Sequence, residues 1–223
     1  MIRLAPEGYP FIIGTLLITV ISCFFLIWNW ESQRYDFTFY ALFVVSSLFF
    51  LLTLFMAFFF RDPERKIPEG RGIFVSPADG KVILITDVYE KDYLKSESKE
   101  ISIFMSPFNV HVNRAPCDGK VSVVKYSPGK FLAAYRDDAS IRNENIVMVL
   151  DGEKDRVLVR QVAGFVARRA VCRAKVGDFL KRGERYGIIK FGSRLDVFLP
   201  KDARVTVRLG DKVKAGETII ATK

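Results

Sequence analysis

The sequence predicts a mainly β domain, a compact β-sandwich or barrel, preceded by an N-terminal two-helix membrane hairpin. Three observations lead there. Charged residues are absent between Glu7 and Glu31 and again between Asp36 and Arg61. From about residue 60 onward the chain becomes short alternating runs broken by Gly, Pro and Asp. The 223 residues carry 34 Lys and Arg against 25 Asp and Glu, yet half of them are hydrophobic, so the apolar residues are concentrated in one region. That concentration excludes a disordered chain, and three cysteines exclude a disulfide-stapled scaffold.

Each uncharged run, about 9–30 and 37–60, is long enough as a helix to cross a hydrocarbon core of roughly 30 Å. Trp28, Trp30 and Tyr35 cluster beside the connecting segment, where amphipathic aromatics favour the headgroup level. A signal peptide fits poorly, because only Arg3 precedes the first run, no small-residue cleavage site follows it, and a second span comes next. A hairpin dipping into one leaflet is the competing arrangement. Arg61, Arg65, Lys66 and Arg71 follow the second run, whereas the loop offers only Arg34. The positive-inside rule then places residues 1–60 as the anchor and 61–223 as a domain on the cytoplasmic side of the cell membrane. Cys23 falls in the first span; Cys117 and Cys172 lie far apart without a CxxC pattern or a nearby His. They read as small buried hydrophobes, and no metal is expected.

Strand-like runs after residue 60 include 80–85, 101–104, 146–150 and 204–207, at the spacing of a sandwich or barrel. Gly129–Ser140 has room for one short helix. Two internal repeats stand out. Val176-Gly177-Asp178-Phe179-Leu180-Lys181-Arg182-Gly183-Glu184 returns as Leu209-Gly210-Asp211-Lys212-Val213-Lys214-Ala215-Gly216-Glu217, and Pro77-Ala78-Asp79-Gly80-Lys81-Val82 returns as Pro116-Cys117-Asp118-Gly119-Lys120-Val121. The first pair reads as hairpins with Gly at positive φ. It resembles the barrel-sandwich hairpins of lipoyl and biotinyl domains in scaffold, without a modifiable Lys at an exposed tip.

Few residues are suited to chemistry. His111 is the one histidine, in the strand-like run Phe108–Arg114, sharing a polar face with Asn109 and Asn113. It is the side chain suited to acid–base work near neutrality, or else an imidazole with no duty. Asp79 and Asp118 both sit before Gly in tight turns, where backbone geometry alone accounts for an Asp, and the pattern does not choose between them. Gly192-Ser193 interrupts a β-rich stretch. It reads as a kink, or as a bond poised for rearrangement: Gly192 has no Cβ to obstruct attack on its carbonyl, and the Ser193 hydroxyl is the nearest nucleophile.

Five segments in order, Phe59–Arg65, Ser76–Gly80, Phe108–Pro116, Gln161–Arg169 and Phe191–Ser193, resemble the short-form phosphatidylserine decarboxylase proenzymes. One departure is Arg194, where many long-form members have Thr. The resemblance implies self-cleavage at Gly192–Ser193 into 1–192 (β chain) and 193–223 (α chain), which stay together as a heterodimer, with a higher oligomer open. Ser193 is implied to become a covalent pyruvoyl group, the only cofactor, with Asp79 orienting His111 as the base. Phosphatidylserine is implied to lose CO2 through a Schiff base to that group, giving phosphatidylethanolamine. An ether-linked phosphoserine (archaetidylserine) lipid is an alternative substrate, and a non-catalytic membrane-tethered barrel-sandwich adaptor an alternative function. The partners are then a membrane and its anionic phospholipid, not nucleic acid; the positive excess draws the domain to an anionic leaflet. Arg114, Arg168 and Arg169 are among the candidates for the lipid phosphate.

Overall fold

In a computed structural model of the chain, the described residues are 3–33, 35–130, 143–153, 155–164, 169–190 and 193–223. They form two compact units, Met1–Glu64 and Arg65–Lys223. The expected short helix over Gly129–Ser140, and the residues Arg34, Arg168 and Gly192, lie wholly or largely outside the described residues.

The first unit holds β1 (Arg3–Leu4), α1 (Tyr9–Glu31), α2 (Phe37–Phe59) and β2 (Arg61–Asp62). Both helices are long and apolar enough to cross a membrane. Asp36 caps α2 by accepting from the Phe39 amide at 3.2 Å. Their burial pattern is inverted relative to a water-soluble hairpin. The buried positions are Thr19 and Ser22 on α1 and Ser46, Thr53 and Phe59 on α2, while Leu17, Phe24, Trp28, Leu48 and Leu51 face outward. Small polar residues let helix backbones approach, and outward Leu and Phe suit a hydrocarbon solvent. Thr19 and Ser22 satisfy their hydroxyls on the helix's own carbonyls. Past α2, Arg61 donates to the Phe58 carbonyl at 2.7 Å and lies 3.8 Å from that residue's ring centroid. β2 pairs antiparallel with β1, tying the two ends of the hairpin together.

The second unit contains β3 (Ile73–Val75), β4 (Gly80–Glu90), β5 (Ser96–Met105), β6 (Val112–Arg114), β7 (Gly119–Ser127), β8 (Asn145–Asp151) and β9 (Arg156–Ala163). It continues with β10 (Ala170–Cys172), β11 (Phe179–Leu180), β12 (Arg185–Ile189), β13 (Ser193–Pro200), β14 (Arg204–Val205), β15 (Lys212–Val213) and β16 (Ile219–Thr222). An antiparallel eight-stranded sheet in the order β11-β7-β8-β9-β13-β5-β4-β15 curls into a half-barrel. Two three-stranded sheets, β10-β12-β6 and β14-β16-β3, accompany it, and one apolar core joins Ile101, Ile103, Leu150 and Leu195 of the large sheet to Ile189 and Ile220 of the small ones.

The strand order reads the same from either end once β4 is matched with β7, β5 with β8 and β9 with β13. The repeats explain why. The two-residue strand in each Gly-Asp repeat pairs not with its own flank but with one of the Asp-Gly repeats: β11 with Gly119–Lys120, and β15 with Gly80–Lys81. The supporting bonds match one for one. Gly177 N and Gly210 N donate to the Val121 and Val82 carbonyls, and Gly183 N and Gly216 N donate to those of Ala115 and Ser76. Gly183 and Gly216 share φ +77°, and a Cβ at Gly183 would come within 2.3 Å of Ile67. Both long hairpins carry a register shift at the matching place, Val82/Leu84 and Val121/Val123. The unit is two related halves meeting at the β9–β13 ladder.

Candidate active site

β13 is the central element here. Ser193, its first residue, faces Met105 of β5 on one side and Ala163 of β9 on the other, and it is completely buried. β12 ends at Ile189, so residues 190–192 join two strands of different sheets. The Ser193 hydroxyl donates to Met105 Sδ at 3.3 Å. Thioether sulfur is a weak acceptor, so this bond holds the hydroxyl lightly.

His111 is fully buried, not exposed on a strand face. The expected strand over Phe108–Arg114 shortens to Val112–Arg114, because Asn109 builds a turn instead. Its Oδ1 accepts from both the Ser106 amide (2.9 Å) and hydroxyl (2.8 Å), and its own amide donates to the Ser106 carbonyl. That turn presents the Asn109 carbonyl 3.0 Å from His111 Nδ1. A carbonyl only accepts, so Nδ1 carries the hydrogen and the lone pair of the neutral ring lies on Nε2. Two residues on, Asn113 Nδ2 sits 3.9 Å from Met105 Sδ, the sulfur that also receives the Ser193 hydroxyl. Gln161 Nε2 donates to Asn113 Oδ1 at 2.8 Å. Ser193, Met105, Asn113 and Gln161 therefore form one buried polar path through the core.

Asp79 and Asp118 make the same turn bond: Asp79 Oδ1 accepts from Ala215 N at 2.8 Å and Asp118 Oδ1 from Arg182 N at 2.7 Å. Backbone geometry accounts for both. Asp79 has more, since Arg65 Nη2 lies 3.0 Å and 2.8 Å from its two oxygens, with both side chains largely buried. Glu217 stands 3.6 Å from the same guanidinium. These bonds of Asp79 run to Arg65 and Ala215, while the bond at His111 Nδ1 runs to Asn109.

The face of β13 opposite Ser193 is ionic. Arg194 pairs with Asp196 (2.5 Å) and Glu100 (3.4 Å) and donates to Ser102 (2.8 Å), all deeply buried. Burial, then the Asp196 charge, raises the Glu100 pKa above its ordinary value, against the opposing pull of Arg194 and Arg160. Burial likewise pushes the Cys117 thiol up to about 12 and raises Cys172, so both stay protonated and poor as nucleophiles or metal ligands. Arg114, a candidate for the lipid phosphate, is buried and donates to the Gly183 carbonyl at 2.9 Å, whereas Arg169 is exposed.

The profile of the family described as phosphatidylserine decarboxylase matches residues 52–221. The chain belongs to the phosphatidylserine decarboxylase family. Relatives named phosphatidylserine decarboxylase proenzyme agree along nearly the whole length. One from Syntrophus aciditrophicus is 46% identical over 98% of this chain and 97% of its own. One from Geobacter metallireducens is 48% identical over 97% and 95%, and one from Amoebophilus asiaticus 45% identical over 99% and 96%. Within a decarboxylase of this family, the buried setting of Ser193 and His111 acquires a chemical context. Sequence reasoning gave no role at the site to Arg65, which holds Asp79, nor to Met105, Asn113 and Gln161, which lead on from Ser193. Arg65, Asn113 and Gln161 all lie inside segments that carried the resemblance, which was the one available signal.

Proposed function

We infer that the chain is a self-processing phosphatidylserine decarboxylase that cuts itself between Gly192 and Ser193. The observation that carries this reading is Ser193 itself: a buried, lightly held hydroxyl at the head of a strand fixed on both sides. Attack of Ser193 Oγ on the Gly192 carbonyl converts the peptide bond to an ester. β-Elimination then releases the Gly192 carboxylate and leaves dehydroalanine, which takes up water and loses ammonia to become a pyruvoyl ketone. His111 Nε2 is the base that receives the hydroxyl proton, with its tautomer set through Nδ1 by Asn109. Asp79, fixed by Arg65 and the Ala215 amide, is the acid to which we assign the orienting of His111.

The residues present fit such a group. Position 193 is fully buried, flanked by Met105 and Ala163 and linked through Met105 to two carboxamides. Once formed, the ketone supplies an electron sink for the pair released when the serine carboxyl leaves as CO2. Burial limits the access of bulk water to it, and His111 is the residue to which we assign the return of a proton.

Pairing accounts for the fragments staying together. β13 belongs to 193–223, yet it sits mid-sheet between β5 and β9 of 1–192. The outward-facing apolar helices and the cations that follow them favour membrane attachment with the catalytic unit on the cytoplasmic side. Intact mass of the purified chain, with and without Ser193→Ala, tests the reading: two fragments for the natural chain, one full-length polypeptide for the variant.

A further inference from the structure

The side-chain oxygen of Gln161, Oε1, has no part in the reading above. Gln161 is 1% exposed and stands on β9 opposite Leu195, two pairs along from Ala163 and Ser193. Gln161 and Ser193 thus share a face of the sheet as diagonal neighbours, about 7–8 Å apart. The amide's orientation is fixed. Its Nε2 donates to Asn113 Oδ1 at 2.8 Å and to the Val171 carbonyl at 3.3 Å, both of which accept. Oε1 is then the free end, buried and without a hydrogen-bond donor among the described residues. The seat itself depends on Gly187, where a Cβ would come within 2.9 Å of Nε2 and 2.3 Å of the Val171 oxygen. A buried carbonyl without a donor is costly, and the fold has kept it beside Ser193.

We propose that Gln161 Oε1 receives an N–H of the lipid headgroup's amino group in the cleaved protein. An amide oxygen only accepts, and so do an ionised carboxylate and a phosphodiester. The amine is the one donor that a serine or ethanolamine headgroup presents. The proposal rests on the decarboxylase reading and deepens it: the nitrogen end of the headgroup lies toward β9. In the intact chain Ser193 and Gln161 are both buried, so the amine arrives after the cut at 192–193. A buried water would satisfy the same oxygen, and the test separates the two.

The test uses the full-length protein in detergent, first checked for cleavage by intact mass. Native mass spectrometry then compares its affinity for N,N-dimethyl phosphatidylethanolamine and for phosphatidylcholine of the same acyl chains, neither of which can condense with a ketone. The trimethylammonium head keeps the charge and the phosphate but has no N–H. The natural protein should bind the dimethyl lipid about tenfold more tightly, as expected for one charged hydrogen bond. Gln161→Met should still cleave itself and should narrow that ratio to about twofold. Equal affinities in the natural protein, or an undiminished ratio in Gln161→Met as a water would give, overturn the proposal. If Gln161→Met fails to fold, the natural protein decides, and a preference for the dimethyl lipid of less than about threefold overturns the proposal. An uncut natural chain defeats the processing reading together with this one; a cut chain with no amine preference defeats this one alone.

Discussion

Arg65 grips Asp79 through a single nitrogen, Nη2, set 2.8 Å and 3.0 Å from the two carboxylate oxygens, and both side chains are largely buried. The equivalent turn in the other half, at Asp118, makes the same backbone bond to Arg182 N. The ion pair with Arg65 is thus an addition to a turn that already holds. Removing one member of a buried pair leaves the other charge without compensation. Arg65→Met should cost about 3–5 kcal/mol of stability. Asp79→Asn introduced on top of Arg65→Met should cost much less than the two single changes summed. Thermal unfolding of the four proteins measures this, and strict additivity would show the pair to be inert.

His111→Ala should slow self-cleavage by about 10²-fold or more, the usual worth of a positioned general base. Intact-mass time courses after synthesis measure the rate. Asn109→Ala should also slow it, to a lesser degree, because it removes the Ser106 bonds that hold the Asn109 carbonyl against Nδ1. Normal rates in both would remove His111 from the chemistry.

The cut protein should behave as one particle. Ser193–Pro200 pairs with Ser98–Met105 on one side, and Ser193–Phe198 with Leu158–Ala163 on the other, so the short fragment forms the middle of a sheet. Fragments 1–192 and 193–223 should co-elute in size-exclusion chromatography and separate only in strong denaturant. Separation under mild conditions would contradict this topology.

Glu100 gives a pH dependence with a definite sign. Its folded pKa is raised above 4.5 by burial and by Asp196, while Arg194 and Arg160 pull the other way. The folded chain therefore holds this proton more tightly than the unfolded one. The contribution is present below 4.5 and lost as pH rises through the folded value. Glu100→Gln cannot ionise, so its Tm relative to the natural protein should be higher at pH 8 than at pH 5. A constant or reversed difference would show that Glu100 is not the titrating group.

Much of the fold was legible because its signals are local. Uncharged runs of spanning length marked both helices, and alternation broken by Gly-Asp and Asp-Gly marked strands and turns. Both repeats could be read as repeats, but not that each Gly-Asp unit pairs with an Asp-Gly unit far away in sequence; strand pairing is a long-range choice. Alternation also extended the His111 strand too far, since Phe108–Asn109 alternate correctly while the Asn109 side chain prefers the Ser106 turn. Ser193, His111 and Asp79 could be named from residue type and family resemblance. Arg65, Asn113 and Gln161 could not be given a part in the site, because an arginine soon after an uncharged run and two amides in strands look ordinary until folding buries them.

The most direct measurement is the intact mass of the purified chain together with its reaction toward a carbonyl-specific reagent such as hydroxylamine. Two polypeptides, 1–192 and 193–223, are expected, the shorter one lacking a free amino terminus and gaining a single hydroxylamine adduct. A folded protein that remains one unmodified 223-residue polypeptide, with an unreactive Ser193, would contradict the account at its centre.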